Sequence, residues 1–500
     1  MPPNLFGGVV TLPRPIIVTY VMRAHLVLGI NAAMELTISA VFTAQIPVRT
    51  MLIIAIMCIV LMDEMKDIDL KLFSLTACLL ISGACAHDNQ DYNSLYASLN
   101  DFGIGSNLNS TELGSLPRLD VSLQQLIDDA SDGSSIRIPL GGYVLSEPIY
   151  INKNITLTGS PFAYIEDQGT SQILQIDNPK ASVTIKNFLL MHGSGDYGGA
   201  INSQAKSLTI RDCRFLDSSA KYGAAIYQKG GNLQVMDSTF EGNNATIWGA
   251  AIYNEGGDMR VESSKLTQNP GSHVICFNGT QQKRVNVSIK DCNFSDNPGP
   301  YVIRGSSTGG VIACTDSTVI IDHCTIKGNK ALVVTPHVIG GGNAGLVFVG
   351  SNIMLNDTLI EGNVALDVAA IYVGRDSKVE VNRCNIAGNH AQSVLFNGEY
   401  VGGDAAGISI DKSSEVTMND VVLKDNHADG EIGAIESAGK LNLKADTVIT
   451  RNSAKRYSAL KGLKSGVTNI GKYADIHDNT DMQQPYQPIH SEGILNMDFG

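Results

Sequence analysis

The amino-acid sequence predicts an all-β fold, a right-handed parallel β-helix of about ten or more coils with an N-terminal capping helix. Three observations support this prediction. A motif of paired apolar residues recurs between Val183 and Asn479, an asparagine follows the motif at a fixed distance, and many copies continue into a Gly/Ala-rich element that ends in isoleucine. Because these features recur together, each repeat is predicted to form one coil of a solenoid.

The paired apolar residues predict two short strands in each coil. In residues 208–215 (LTIRDCRF) and 319–326 (VIIDHCTI), the apolar residues stand at offsets 0, 2, 5 and 7 from the start. Alternation with a period of two is typical of half-buried strands, and the extra residue between the pairs indicates a corner. The repeats start at Val183, Leu208, Leu233, Met259, Val287, Val319, Ile353, Val379, Val416, Leu441 and Val467.

The asparagine of each repeat predicts a structural ladder. Asparagine tolerates the left-handed backbone of a tight turn, and identical amides can bond from coil to coil. A third strand follows it, and stacked coils let successive strands pair in parallel, with right-handed crossovers as the default. The ladder positions are Asn243, Asn269, Asn297, Asn329, Asn363, Asn389, Asn426, Asn452 and Asn479, with Ser218 taking the place of asparagine in one coil.

The repeats resemble those of chlamydial polymorphic outer-membrane proteins and of adhesin-like surface proteins of methanogenic archaea. Both families are known for a Gly-Gly-Ala-Ile element and a Phe-x-x-Asn element, which stand here at residues 198–201 (GGAI), 240–243 (FEGN) and 294–297 (FSDN). The resemblance covers about residues 121–480. It implies a secreted or surface-attached β-helix that acts in adhesion.

The first 120 residues are predicted to lie outside the β-helix. For the apolar residues 1–64 two interpretations stay open, an N-terminal extension or a translation start at Met65. Residues 65–86 have the layout of an export signal, with lysines followed by an apolar stretch and small residues. Two cleavage positions compete, one after Ala86 and one before Cys85, and the second would give a lipoprotein acylated on Cys85. Residues 87–120 are polar and predict a linker.

The remaining chain divides into three predicted parts. In residues 121–182, the helical spacing of Val121, Leu123, Leu126 and Ile127 predicts a helix that caps the first irregular coils. Residues 183–480 form the β-helix, and residues 481–500 are an incomplete C-terminal segment. Longer intervals between repeats hold insertions, the last at residues 391–414, and insertions on one side of a solenoid usually make its binding face.

Residues that could carry chemistry are few. Residues 319–326 resemble the Ile-Asp-His stretch of pectate lyases, which makes Asp322 and His323 weak catalytic candidates. The same corner is polar in other coils, so a solvated corner is the alternative. The cysteines at the inward offset, which predict buried packing and not metal binding, are Cys213, Cys292, Cys324 and Cys384. No cofactor and no metal site is predicted.

Function is predicted from the surface. Tyr227, Tyr253 and Tyr372 follow the inward isoleucine and should face outward, either stacking along the sheet or forming a strip that binds sugar or protein. The net charge of −13 disfavours nucleic acid and anionic membranes, so membrane contact is expected only through a lipid or anchor.

We therefore expect an extracellular or cell-surface protein for adhesion or recognition of glycans or of host or partner surfaces. The alternative is a polysaccharide lyase or glycoside hydrolase with a pectate-lyase-like fold, because fold does not determine function. An aligned cluster of outward carboxylates with Arg or Lys would favour the enzyme.

Overall fold

Each repeat of the sequence forms one coil of a parallel β-helix in the computed structural model. The structure describes residues 21–28, 34–41, 122–139, 141–160, 163–299, 310–334, 339–444, 446–483 and 488–498. The chain divides into two units, Met1–Leu108 and Asn109–Gly500. In the first unit, the strands Val21–Leu28 and Met34–Val41 pair antiparallel. The predicted export signal with Cys85 and the predicted linker lie outside the described residues.

Three long parallel sheets make up the β-helix of the second unit, because each coil contributes one strand to each sheet. Sheet 1 holds the first strand of the repeat: Ser134–Ile138, Ile155–Gly159, Ser182–Lys186, Ser207–Arg211, Asn232–Met236, Asp258–Glu262, Val285–Lys290, Ser317–Asp322, Asn352–Asn356, Lys378–Asn382, Glu415–Asn419, Lys440–Leu443, Val467–Ile470 and Ile494–Met497. Sheet 2 holds the second: Gly141–Leu145, Ala163–Asp167, Leu189–Met191, Arg214–Leu216, Thr239–Glu241, Lys265–Thr267, Asn293–Ser295, Thr325–Lys327, Leu359–Glu361, Asn385–Ala387, Val422–Lys424, Val448–Thr450 and Asp475–His477.

Sheet 3 holds the third strand, which contains the inward isoleucine of most coils. Its strands are Ile149–Tyr150, Leu174–Ile176, Ile201–Ser203, Ile226–Lys229, Ile252–Glu255, Ile275–Asn278, Ile312–Thr315, Leu346–Val349, Ile371–Gly374, Ile408–Ile410, Ile435–Ser437, Leu460–Gly462 and Ile489–Ser491. The strands of each sheet follow one another in chain order, which is the connectivity of a solenoid.

Many coils add a fourth, short strand after the ladder position, where three strands per coil were predicted. Three of these strands form one sheet: Ser194–Tyr197, Ser219–Tyr222 and Asn244–Trp248. Six more lie in another sheet: Lys330–Val334, Val364–Ala365, His390–Ala391, His427–Ala428, Ser453–Ala454 and Thr480–Asp481. The seventh strand of that sheet, Ile339–Gly341, pairs antiparallel with Lys330–Val334 of the same coil. Within the insertion at residues 391–414, Ser393–Phe396 and Glu399–Gly402 form an antiparallel hairpin.

The core lies inside the coils, at the apolar positions of the repeat. In one coil Leu208, Ile210, Cys213 and Phe215 are all buried and belong to a single apolar cluster that runs through the second unit. Leu208 pairs in register with Val183 on the preceding coil, and the same position continues on the following one. Register is strongly specified here, because a slip of one residue would turn every apolar side chain outward.

The ladder asparagines do not take the left-handed backbone that was predicted for them. The residue before each ladder position takes it, for example Gly242 with φ 68° and Asp425 with φ 57°. Glycine and aspartate tolerate this conformation, so they make the corner. The asparagine itself stays free to point its amide into the coil, where it is buried.

A helix of seven residues, Leu123–Asp129, stands at the N-terminal end of the coils. Its Leu123 and Ile127 belong to the core cluster, and the hydroxyl of Ser122 caps its first turn by accepting from the backbone N–H of Gln125. The Lys153 ammonium donates to three carbonyls at the other end of the helix. Among the residues that the structure describes, no helix has the length and apolar character needed to cross a bilayer.

Candidate functional site

The ladder asparagines bind each coil to its two neighbours. The side-chain amide of Asn363 donates to Ile326 O on the preceding coil at 3.0 Å and to Asn389 Oδ1 on the next at 2.9 Å. Its Oδ1 accepts from the backbone N and the Nδ2 of Asn329, at 3.1 and 2.9 Å. The same pattern recurs down the ladder, so these residues hold the coils together and leave no polar atom for a ligand.

Asp322 and His323 lie at the corner between sheets 1 and 2. His323 has a positive φ of 50°, and its Nδ1 lies 2.9 Å from Asp322 Oδ1. Asp357 completes a group of three side chains, but the Arg383 guanidinium donates two hydrogen bonds to it at 2.8 and 2.6 Å. These bonds hold the pKa of Asp357 below its usual value. The corner therefore presents acids that are already paired with cations, with Lys290 at 3.7 Å from Asp322.

Tyr227 and Tyr253 stand on the outer side of sheet 3, outside the apolar cluster that fills the coils. They are not an exposed strip, because only 5% of each side chain remains accessible. Rings from the short strands cover them, and the short strands were not predicted. Tyr372 occupies the same column further along the sheet and packs against a small cluster of Val368, Ala405 and Ile432.

The covering rings form an aromatic patch, which comprises Tyr197, Tyr222 and Trp248 above Tyr227 and Tyr253. Tyr197 and Tyr222 stack with ring centroids 5.2 Å apart, and Trp248 meets Tyr222 edge-on at 5.9 Å. Each outer ring also contacts one of the buried tyrosines, at 4.8 to 5.9 Å. Tyr197 is 43% exposed and Trp248 is 41% exposed. The patch is therefore a supported layer of rings with its outer face in solvent.

The aromatic patch belongs to two columns of side chains that run along the outside of the β-helix. The first column holds the residue four positions before the inward apolar residue of sheet 3, and the second holds the residue directly after it. We call the two columns the outer strip. Towards the C-terminal coils the first column contains Asp367, Asp404, Glu431 and Arg456, and the second contains Tyr372, Ser409, Glu436, Lys461 and His490.

The outer strip therefore carries a second cluster, the acidic patch, which comprises Asp367, Asp404, Glu431, Glu436 and Lys461. The Lys461 ammonium lies 2.7 Å from Glu431 Oε2 and 3.8 Å from Glu436 Oε1. Its side chain is largely buried and also lies over the Tyr457 ring, 5.1 Å from the centroid. This is an aligned cluster of outward carboxylates with a lysine.

The carboxyls of the acidic patch have pKa values shifted in opposite directions. The hydrogen bond from Lys461 lowers the pKa of Glu431. Burial, and then the charges of Asp404 and Glu431, raise the pKa of Glu436 against the attraction of Lys461. Burial also raises the pKa of Asp404 and of Asp367. Burial alone would lower the pKa of Lys461, but its bond to Glu431 and the nearby acids raise it, so this lysine stays protonated at neutral pH.

Most of the outer strip was missed by the sequence analysis, although a signal was present. Aligning the coils on the inward apolar residue of sheet 3 places Trp248 and Glu431 at one position and Tyr253 and Glu436 at another. The residue types change from aromatic to acidic along each column, so no motif recurs there. The signal was a shared position and not a shared residue type.

The comparisons with known proteins agree on the fold. Residues 172–335 match a family model described as a right handed beta helix region. The fold is a right-handed parallel β-helix. The predicted fold class is thereby confirmed, with thirteen or fourteen strands in each long sheet. No curated protein sequence matches the chain.

Three of the solved structures that resemble the chain at low identity are alginate lyases. A PL6 alginate lyase in complex with a trisaccharide is 13% identical, with a TM-score of 0.43 over 77% of this chain and 86% of that chain. The alginate lyase AlyF-OU02 is 12% identical, with a TM-score of 0.33 over 78% of this chain and 94% of that chain. A mutant of the PL6 family alginate lyase AlyGC is 9% identical, with a TM-score of 0.22 over 76% of this chain and 80% of that chain. At these TM-scores the likeness carries no argument about activity.

Proposed function

We propose that the protein recognises a glycan along the outer strip. The aromatic patch is the observation that carries this proposal. Sugar rings have apolar faces that stack on aromatic side chains. The exposed rings of Tyr197 and Trp248, with the half-buried ring of Tyr222 between them, present such a surface on three consecutive coils. The polar groups that fix the orientation of a sugar are supplied by the carboxyls on the same strip.

Charge supports a glycan over a nucleic acid and a neutral glycan over a polyuronate. Aromatic rings can also stack on nucleobases, but nucleic-acid surfaces need positive charge, and the chain carries a net charge of −13. The acidic patch has four carboxyls against two cations, because Lys461 contacts Glu431 and Glu436 and Arg456 contacts Glu431. This excess of negative charge repels the carboxylates of alginate or pectin. A ligand that contacts both patches must span at least roughly 20 Å, because Asp367 lies four coils beyond Trp248 and coils stack about 4.8 Å apart.

The binding test uses the single tryptophan of the chain as its probe. Trp248 is the only tryptophan in the sequence and lies within the aromatic patch, so a sugar that stacks there should change its emission. Hits from a glycan array are titrated by this signal. Tyr197→Ala and Tyr222→Ala should weaken binding about tenfold. Tyr473→Ala removes a more exposed ring outside the strip, 64% accessible against 43% for Tyr197, and serves as the control. Equal affinities for all variants, or preferred binding of alginate and pectin, would contradict the proposal.

The proposal includes an exported, cell-surface location and a role like that of the adhesin-like proteins. Its support is the layout of residues 65–86 and the Gly-Gly-Ala-Ile and Phe-x-x-Asn elements of the repeats. Mass spectrometry of the N-terminus of the native protein tests it. A mature chain that starts near Ala86, or an acylated Cys85, supports export, and an intact chain in the cytoplasm contradicts it.

The acidic patch favours a second candidate, hydrolysis of the bound glycan. Two carboxyls whose pKa values are pushed apart can divide the roles of acid and base. Glu436, with the raised pKa, would donate its proton to the glycosidic oxygen, and ionised Glu431 would take a proton from the water that attacks the anomeric carbon. Both carboxyls contact the Lys461 ammonium, at 2.7 and 3.8 Å. Protonated Lys461 cannot act as the base, which disfavours elimination by a lysine.

Release of reducing ends from the glycans that bind is the test of hydrolysis. Glu436→Gln and Glu431→Gln should each abolish release, and the Trp248 signal measures separately how much binding at the aromatic patch remains, because neither residue belongs to that patch. Asp425→Asn, which changes an exposed corner acid bonded to Arg451, is the matched control. Absence of any product from wild-type protein on every bound glycan restricts the function to recognition.

A further inference from the structure

A group of two histidines and one aspartate lies on the short strands, outside the acidic patch. His390 Nε2 is 2.9 Å from Asp429 Oδ1, and His427 Nε2 is 3.2 Å from the same oxygen. The two imidazole rings have centroids 5.0 Å apart. All three donor atoms lie within 4.8 Å of one another, and the three side chains are partly exposed. The three side chains therefore converge on one point that solvent can reach.

The stacking of the coils places these residues together. His390 and His427 are register partners on neighbouring parallel strands, so their side chains project side by side. Asp429 follows His427 by two residues, and alternate residues of an extended chain face the same side. The alanines between them, Ala391 and Ala428, point inward and are buried. The arrangement thus depends on the β-helix and has no local sequence motif.

Surrounding bonds orient the donors. The Nδ1 of His427 lies 2.8 Å from the hydroxyl of Ser453, which is its register partner on the next coil. The second oxygen of Asp429 accepts from the backbone N–H of Ser393 at 2.9 Å and from its hydroxyl at 3.4 Å. Oδ1 of Asp429 is thus left to face the two imidazoles. Metal-ligating histidines usually have their other nitrogen held in this way.

We propose that His390, His427 and Asp429 form a binding site for a divalent transition metal ion such as Zn²⁺. Two imidazole nitrogens and one carboxylate oxygen are a donor set that suits zinc and its neighbours, and Ca²⁺ and Mg²⁺ prefer oxygen alone. Zinc bonds of about 2.0–2.1 Å place tetrahedral donors roughly 3.3 Å apart. The observed separations from Asp429 Oδ1 are slightly shorter, so small side-chain shifts admit the ion. A fourth position stays open to solvent or to a ligand.

The bound ion would join three parts of the structure. His390 and His427 come from two coils, and Asp429 is bonded to Ser393, the first residue of the antiparallel hairpin in the insertion. The site therefore lies at the base of this hairpin. A metal would take the lone pairs of both Nε2 atoms and fix His427 in the tautomer whose Nδ1–H donates to Ser453.

The test measures Zn²⁺ binding to the full-length chain, stripped with a chelator and made without a histidine tag. Calorimetric titration should show one tight event per chain. His390→Ala and His427→Ala should each abolish that event, and Ser453→Ala should weaken it about tenfold. His323→Ala is the matched control, because His323 belongs to the other group of three side chains with metal-type donors, where Arg383 already holds Asp357.

Each outcome decides for or against the site. The site is supported if the binding event is lost in both histidine variants and kept in His323→Ala. It is also supported if Co²⁺ gives the visible spectrum of a four-coordinate ion with wild-type protein and not with the two histidine variants. No tight event in wild-type protein overturns it, and so does an event that survives in both variants or is lost in His323→Ala. Circular dichroism and the emission of Trp248 show whether each variant is folded. His427→Gln, which keeps a polar side chain of similar size, replaces His427→Ala if the latter fails to fold.

Discussion

Replacing the central ladder asparagine Asn363 with alanine should lower the free energy of unfolding by about 4 kcal/mol. Four hydrogen bonds end on its side chain, and each contributes about 1 kcal/mol net. Water cannot replace them, because Asn363 is 0% exposed. The change leaves the backbone N–H of Asn329 and the carbonyl of Ile326 without these partners inside the β-helix.

Urea unfolding of the purified chain, followed by circular dichroism, measures this loss. The matched control is Asn382→Ala, since Asn382 also exchanges amide bonds with neighbouring coils but lies on the partly exposed outer side of sheet 1. Water can solvate the groups that Asn382 leaves, so its loss should stay below about 1 kcal/mol. If the two variants lower the free energy of unfolding equally, with the slope of that free energy against urea concentration unchanged, the argument that the buried ladder holds the coils together is refuted.

Three further predictions concern other parts of the chain. A protein that starts at His87 should keep the β-rich circular dichroism spectrum and the solubility of the full chain, because the apolar core of the β-helix is built from residues that follow His87. Aggregation of this shorter protein, but not of the full chain, would contradict this prediction. In the same protein a thiol reagent at pH 8 should modify Cys276 first, because it is partly accessible and the other described thiols are buried, and mass spectrometry should find those thiols unmodified until urea is added. Burial also raises the pKa of Cys276, so its modification should be slow compared with that of a free thiol. Finally, Glu436→Gln should raise the free energy of unfolding at pH 7. The pKa of Glu436 is raised in the folded state, and such a carboxyl destabilises the fold at pH values above its unfolded pKa of about 4.3. The gain in stability should therefore vanish as the pH falls to about 4.

The fold was predictable because burial constrains the repeat. Positions such as Leu208 and Phe215 recur at fixed offsets, and only one register buries them all, so strands and pairing followed from spacing. The short fourth strands escaped prediction for a physical reason. Some, such as Val364–Ala365, have two residues, too few to show a period, and their buried side chain is an alanine that looks neutral in sequence.

The outer strip and the histidine group were harder to predict than the core. Glu431 and Lys461 are distant in sequence and meet only because coils stack in register, as do His390 and His427. Outward side chains are free to differ from coil to coil, because solvent accepts all of them. Asp322 and His323 drew attention through a familiar local motif, and His323 has the same positive φ as the corner residues of other coils, such as Asp291 and Arg383.

The uniform ladder inside and the varied strip outside have a consequence for how such a chain can evolve. From Asn243 to Asn479 each coil offers the next one the same amide and the same apolar positions, so a whole coil can be duplicated, lost or exchanged and its neighbours still fit. Each such event moves the outer columns by one step. Recombination between repeats can therefore lengthen, shorten or divide the outer strip while the part of the sequence that directs folding stays the same.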